Sequence, residues 1–159
     1  MSVEELLERY EKGERNFSKI DLSGNLIGIN LEGINMSGAI LDDCTLEKAY
    51  LQSANLSQAC LSECFLYKIN LSYAILVEAV LEQADLEEAN LKGANLRRAR
   101  LGFASLRGAN LAEADLTEAD MSAVDLDNAN LNGAIGADLS DSCFCNTIMP
   151  DGSIRNDHC

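Results

Sequence analysis

The sequence predicts an all-β solenoid built as a parallel stack of four-sided coils, and three observations predict it. Leucine or methionine occupies every fifth position without a break from Leu26 to Leu131, 22 centres in all. Two residues before almost every centre stands a compact apolar residue, most often alanine: Ala54 before Leu56, Ala84 before Leu86, Ala109 before Leu111. The residue directly before the centre is polar in most units, as at Asn70, Asn90, Asn110, Asp115 and Asp125. A period of five matches neither the 3.6 of a helix nor the 2.0 of a flat strand, so neither regular structure buries these leucines together. They converge only if the chain turns one corner per repeat, so that four repeats close a coil of about twenty residues and successive coils stack. Centres and the preceding alanines then fill a narrow lumen, and the other three residues of each unit face water.

Units such as Ala54-Asn55-Leu56-Ser57-Gln58, Ala89-Asn90-Leu91-Lys92-Gly93 and Ala114-Asp115-Leu116-Thr117-Glu118 resemble the A(D/N)LXX signature of pentapeptide repeat proteins. The resemblance implies a right-handed quadrilateral β-helix. It is specific for fold and nearly silent on function, because the motif residues are structural. Two departures stand out: the step from Leu22 to Leu26 is four residues, and Gly136 stands where the next centre is due.

The ends read as caps on one domain. In residues 1–15, Ser2 and Glu5 form a capping box, Val3, Leu6, Leu7 and Tyr10 share a helical face, and Gly13 stops the helix. This short α-helix is expected to lie over the first coil and cover an edge that would otherwise invite aggregation. Residues 16–135 form the β-helix. In residues 136–159 the rule of five lapses, and Leu139, Phe144, Ile148 and Met149, followed by the turn-forming Pro150-Asp151-Gly152, read as a C-terminal plug. The resemblance extends to both ends, since short capped members of the family abound in photosynthetic bacteria.

No apolar run reaches membrane length, and acidic residues stand near the N-terminus where a signal peptide carries basic ones, so a cytoplasmic protein without membrane contact is expected. Cys44 and Cys64 fall at inward positions one above the other, where reduced buried thiols are expected. At the C-terminus, Cys143, Cys145, His158 and Cys159 leave three readings open: a frayed tail, a disulfide, or a zinc site with an atypical Cys-x-Cys spacing. Otherwise no cofactor or metal site is indicated. A filled tube offers no pocket for converging catalytic groups, and a non-enzymatic protein is expected.

Net charge is −14, which argues against direct nucleic-acid binding and raises the question of DNA mimicry. Pentapeptide repeat proteins that protect DNA gyrase are acidic rods of this kind, so the resemblance supplies that alternative. The coil from Leu91 to Asn110 speaks against it, since Lys92, Arg97, Arg98, Arg100 and Arg107 lie there with no acid. At a spacing of twenty residues, Arg98 stacks between Glu78 and Glu118, Arg107 between Glu87 and Asp127, and Arg100 lies beneath or above Asp120. This basic belt is expected to set coil register, with docking of an acidic partner as the alternative. The regular part of the rod is roughly 26 Å long at ~4.8 Å per coil, which spans only about eight base pairs.

Phe65, Tyr67, Tyr73, Ile75, Val77 and Val80 are apolar at positions that should face solvent, within little more than one coil. The repeat has no structural need for them, so they are the candidate partner surface. The function expected is a rigid protein-interaction or regulatory module, monomeric or weakly dimeric, with another protein as its partner.

Overall fold

The computed structural model describes residues 1–42, 44–157 and 159. The chain enters through α1, Val3–Glu11, whose N-cap Ser2 accepts the Glu5 amide at 3.2 Å. The expected box is half formed, because the Glu5 carboxylate turns to Arg9 at 3.3 Å instead of reaching back. Gly13 ends the helix with φ +95°: its amide bonds the Tyr10 carbonyl and the Glu14 amide bonds that of Arg9, which is the Schellman arrangement. Leu6 is fully buried on the first coil, with Val3, Leu7 and Tyr10 packed beside it.

From Asn16 onward the backbone makes four-sided coils held by isolated parallel bridges, with a two-residue parallel ladder between β1, Gly24–Asn25, and β2, Cys44–Thr45. The rung before each centre pairs with the rung twenty residues later, as in Asn70↔Asn90↔Asn110↔Asn130. Each corner is a turn in which the centre's carbonyl accepts the amide three residues on, for example Ala54 to Leu51 at 3.1 Å. The residue two after the centre takes positive φ there, from Ser53 at +57° to Arg98 at +57°, as a type II turn requires.

This geometry accounts for four of the five amides in a unit. Around Leu51, Ala54 closes the corner, Leu51 and Ser53 donate to Asn70 and Ser72 of the next coil, and the rung residue Tyr50 donates to Ile29 of the previous one. The amide after the centre is left, and an Asn or Asp on the rung takes it. Asn90 accepts the Lys92 amide at 3.2 Å, Asp115 that of Thr117 at 3.0 Å and Asp125 that of Asp127 at 3.0 Å. The Asn/Asp preference before the centre is therefore a hydrogen-bond requirement of the corner. Centres and small residues are buried along the whole tube, from Leu26 to Leu131.

The two irregular steps alter coil length. Across the missing residue between Leu22 and Leu26 the rungs pair at 19, Asn16↔Asn35 and Asp21↔Ile40. Beyond Gly136 the chain does not merely plug the tube. It lays down a further coil at a spacing of 18, with Asp125↔Cys143 and Asn130↔Ile148. Leu139 and Phe144 are buried as expected, Ile148 and Met149 are half-buried, and Ser142 and Thr147 also point inward, donating to the carbonyls of Met121 and Leu126 at 3.1 and 2.7 Å. β3, Thr147–Ile148, then pairs antiparallel with β4, Ile154–Arg155, through the turn at Pro150-Asp151-Gly152, which gives that edge a partner.

Candidate functional site: the outward surface of the rod

Each flat side of the rod presents its rung residues in a column, and each corner presents the two residues after the centre. Four columns result. The first side carries Thr45, Phe65, Asp85 and Ser105, and the second Tyr50, Asn70, Asn90 and Asn110. The third carries Asn55, Ile75, Asn95 and Asp115, and the fourth Ile40, Cys60, Val80, Arg100 and Asp120.

The apolar candidates all lie outside, but on different sides. Phe65 on the first side is 56% exposed and Ile75 on the third is 42% exposed. Val80 is half-buried on the fourth side, and Tyr67 and Val77 are half-buried at corners. Tyr73, 57% exposed, occupies the corner between the second and third sides and lays its ring over Gly93 of the next coil. Tyr67 is tied down: its hydroxyl donates to Glu88 at 3.1 Å, and Lys68 sits 5.0 Å from its ring while pairing with Glu88 at 3.0 Å. The set is thus a girdle around the rod. Two exposed residues belong beside it: Ile40, 48% exposed on the fourth side, and Phe103, 71% exposed at the corner between the fourth and first sides. The same spacing rule finds both, as Ile40 directly precedes Leu41 and Phe103 follows Leu101 by two.

These substitutions have a local cost. Where Ile40, Tyr50, Phe65, Ile75 or Val80 replaces Asn or Asp, no side-chain carboxyl or amide among the described residues takes the amide after the centre. Each forfeits a hydrogen bond worth ~0.5 to 1.5 kcal/mol. Apolar rungs are therefore not selected by the stability of the corner.

The basic belt is fully engaged. Arg98 bonds Glu118 at 2.7 Å and approaches Glu78 at 3.8 Å; Arg107 reaches Asp125 at 3.1 Å, Asp127 at 3.2 Å and Glu87 at 3.9 Å. Lys92 pairs with Glu113 at 3.5 Å and Arg97 with Asp115 at 3.4 Å. Arg100 stacks on Asp120, its bridge partner in the next coil, as expected, while its guanidinium bonds Glu82 of the preceding coil at 2.7 Å and the Asp120 carboxylate accepts the hydroxyl and amide of Ser122. The Asp120 carboxylate serves its own corner, two residues downstream, and the longer Glu82 side chain reaches Arg100. Hydrogen bonding from Arg98 holds Glu118 below the usual carboxylate range, and Ser122 does the same for Asp120.

The cysteines divide in two. Cys44 and Cys64 are buried thiols that donate to the carbonyls of Leu22 and Leu41 at 3.1 and 3.0 Å. Cys145 and Cys159 form a disulfide, which overturns the zinc reading because two of its thiolates are joined to each other. Cys143 remains an exposed thiol, and His158 lies outside the described residues. Among the described residues no group of three His, Cys, Asp or Glu side chains is placed to hold a metal ion.

The family model for pentapeptide repeats matches residues 29–67, 66–102 and 94–133, with eight copies. The chain belongs to the pentapeptide repeat family, and its architecture is that family's right-handed quadrilateral β-helix. Among solved structures it is similar to HetL, a pentapeptide repeat protein involved in heterocyst differentiation regulation from the cyanobacterium Nostoc sp. strain PCC 7120. The identity is 30% over 98% of this chain and 100% of that one, with a TM-score of 0.54. A pentapeptide repeat protein from the Arabidopsis thaliana thylakoid lumen matches at 27% identity over 67% of this chain and 64% of its own, TM-score 0.42. QnrB1, a plasmid-mediated fluoroquinolone resistance protein, matches in its full-length form at 20% identity over 81% and 79%, TM-score 0.45. Among curated proteins no relative matches.

Proposed function

We propose that this chain is a non-enzymatic, regulatory protein-interaction module. The observation that carries the proposal is the girdle of apolar residues at outward positions, whose rung members Ile40, Phe65, Ile75 and Val80 each forfeit a corner hydrogen bond. HetL, similar over nearly the whole chain, is described as taking part in regulation, which favours the regulatory reading. The partner is another protein, which meets exposed anchors such as Phe65 and Ile75 on a rigid support that needs no rearrangement to present them.

The alternative, an acidic DNA mimic for a DNA-binding protein such as DNA gyrase, has less behind it. The five cations of the belt lie against acids of the neighbouring coils and interrupt the negative surface at mid-rod. A cytoplasmic monomer or weak dimer completes the proposal. Among the described residues no helix is long and apolar enough to cross a membrane. The Cys145–Cys159 bond is the sensitive point, since reducing compartments open such bonds.

The test is a pull-down from native cells, repeated with Phe65→Ser/Tyr67→Ser. Loss of the captured protein at unchanged melting temperature supports an interaction module. Gyrase inhibition or protection by the purified protein, insensitive to those changes, supports the mimic.

A further inference from the structure

On the fourth side, and on no other among the described residues, the polar rung residue is replaced in successive coils by apolar ones. Ile40, Cys60 and Val80 bridge directly to one another, Ile40↔Cys60 and Cys60↔Val80. They make one continuous stripe along the rod axis, two coil steps or roughly 10 Å long. Arg100, paired with Glu82, closes one end, and Asp21 is the next rung at the other. Asp42 and Glu63 border the stripe at the corner, and Asp21, Asp42 and Glu63 form no ion pair among the described residues.

We infer that this stripe seats an amphipathic α-helix of a partner protein, apolar on the seated face and basic on its flanks, lying along the rod axis. The inference rests on the interaction-module reading and names the kind of partner. Spacing selects a helix over a strand: rungs recur every ~4.8 Å, close to the 5.4 Å between successive turns on one helix face and far from the ~6.8 Å between like-facing strand residues. Charge selects basic flanks, since Asp42 and Glu63 enter no ion pair among the described residues while the acids beside the belt do.

The probe is a synthetic amphipathic helix of leucine and lysine, about 14 residues and so ~21 Å long, titrated against the full chain. Ile40→Asn/Val80→Asn removes the stripe while restoring the rung residue that the corner prefers, so this variant is expected to fold. Ile75→Asn, the same chemical change on the third side, is the control. The expected result is a loss of affinity of about tenfold or more for the double variant, with the control changed less than about twofold. Bound peptide should also slow alkylation of the half-buried Cys60 thiol and leave that of Cys143 unaltered. Equal affinity in all three proteins, equal losses in both variants, or unprotected Cys60 overturns the inference. Failure here, with the native partner still lost on changing Phe65 and Tyr67, refutes only the stripe. Retention of that partner refutes the general reading separately.

Discussion

The ring of Tyr73 lies across Gly93 of the next coil so closely that a Cβ at 93 would stand 2.6 Å from Tyr73 Cε1. Gly93 has φ +64°, which is ordinary for its corner position, so the absent side chain there serves the tyrosine more than the turn. Gly93→Ala should lift the ring from its seat and cost roughly 1 kcal/mol. The chain has no tryptophan and four tyrosines, so tyrosine fluorescence quenching reports the change directly. Unaltered quenching would show that the ring is not held there.

Gly136 makes the opposite case. Its φ is +75°, and an added Cβ would come 2.6 Å from Thr117 Cα and 2.8 Å from Thr117 N, backbone atoms that cannot step aside. Gly136→Ala should therefore cost about 3 kcal/mol or more. Gly33→Ala, where nothing lies within 4 Å, should cost only about 1 kcal/mol. Similar melting temperatures for the two variants would contradict the close approach of Gly136 to the coil below.

Leu91→Asp should destabilise by more than about 4 kcal/mol, since it places a carboxylate without a partner in a lumen where Leu91 is fully buried. Asn90→Asp, one residue away, keeps the acceptor for the Lys92 amide and loses only a donor to Asn70 at 3.2 Å. Its cost should stay near 1 kcal/mol. Thermal unfolding of the pair tests the assignment of inward and outward positions.

Acid sensitivity follows from the corner carboxylates. The Thr117 hydroxyl and amide, and then Arg97, hold Asp115 below its ordinary 3.8, and Ser122 does so for Asp120. A carboxylate depressed in the folded state contributes stability that is complete above its ordinary value and is lost as pH falls through the folded one. Melting temperature should hold or rise from about pH 7 to 5, as a net charge of −14 is relieved, and decline only below about pH 4. A decline already under way between pH 7 and 5 would require a different group.

Reduction of Cys145–Cys159 should release the terminal segment and leave the coils standing. The bond closes a 14-residue separation, for which chain entropy suggests about 3 kcal/mol. Yet the last coil keeps its own links, Leu126 to Cys143 at 3.1 Å and Leu131 to Ile148 at 2.8 Å. Hydrogen exchange in the presence of reductant should quicken at Ile154–Arg155 and stay slow at Asn110 and Asn130. Collapse of protection throughout the rod would contradict this.

The tube and its inward set could be read from the sequence because one five-residue rule dictates them. The last coil was not legible in the same way. Its spacing drops to 18, and Ser142 and Thr147 enter the lumen by bonding the carbonyls of Met121 and Leu126, which polarity alone does not reveal. Arg100 stacks on Asp120 as the twenty-residue rule has it, but that rule does not show Glu82, which the guanidinium bonds, or the Ser122 hydroxyl that Asp120 accepts. The candidate surface was legible as a list of exceptions to the rule. That list left out Ile40 and Cys60, which lie one and two coils before Val80 and join it in a stripe only when positions are sorted by side of the coil.

The unequal coils leave the flat sides continuous. A first coil of 19 residues and a last one of 18 still set their rungs on those of the 20-residue interior, Asn16 on Asn35 and Cys143 on Asp125, so the residues they lack are taken from between the paired rungs. Columns of outward side chains therefore stay in line toward both ends of the tube, and the side a residue occupies is fixed by counting rungs rather than residues.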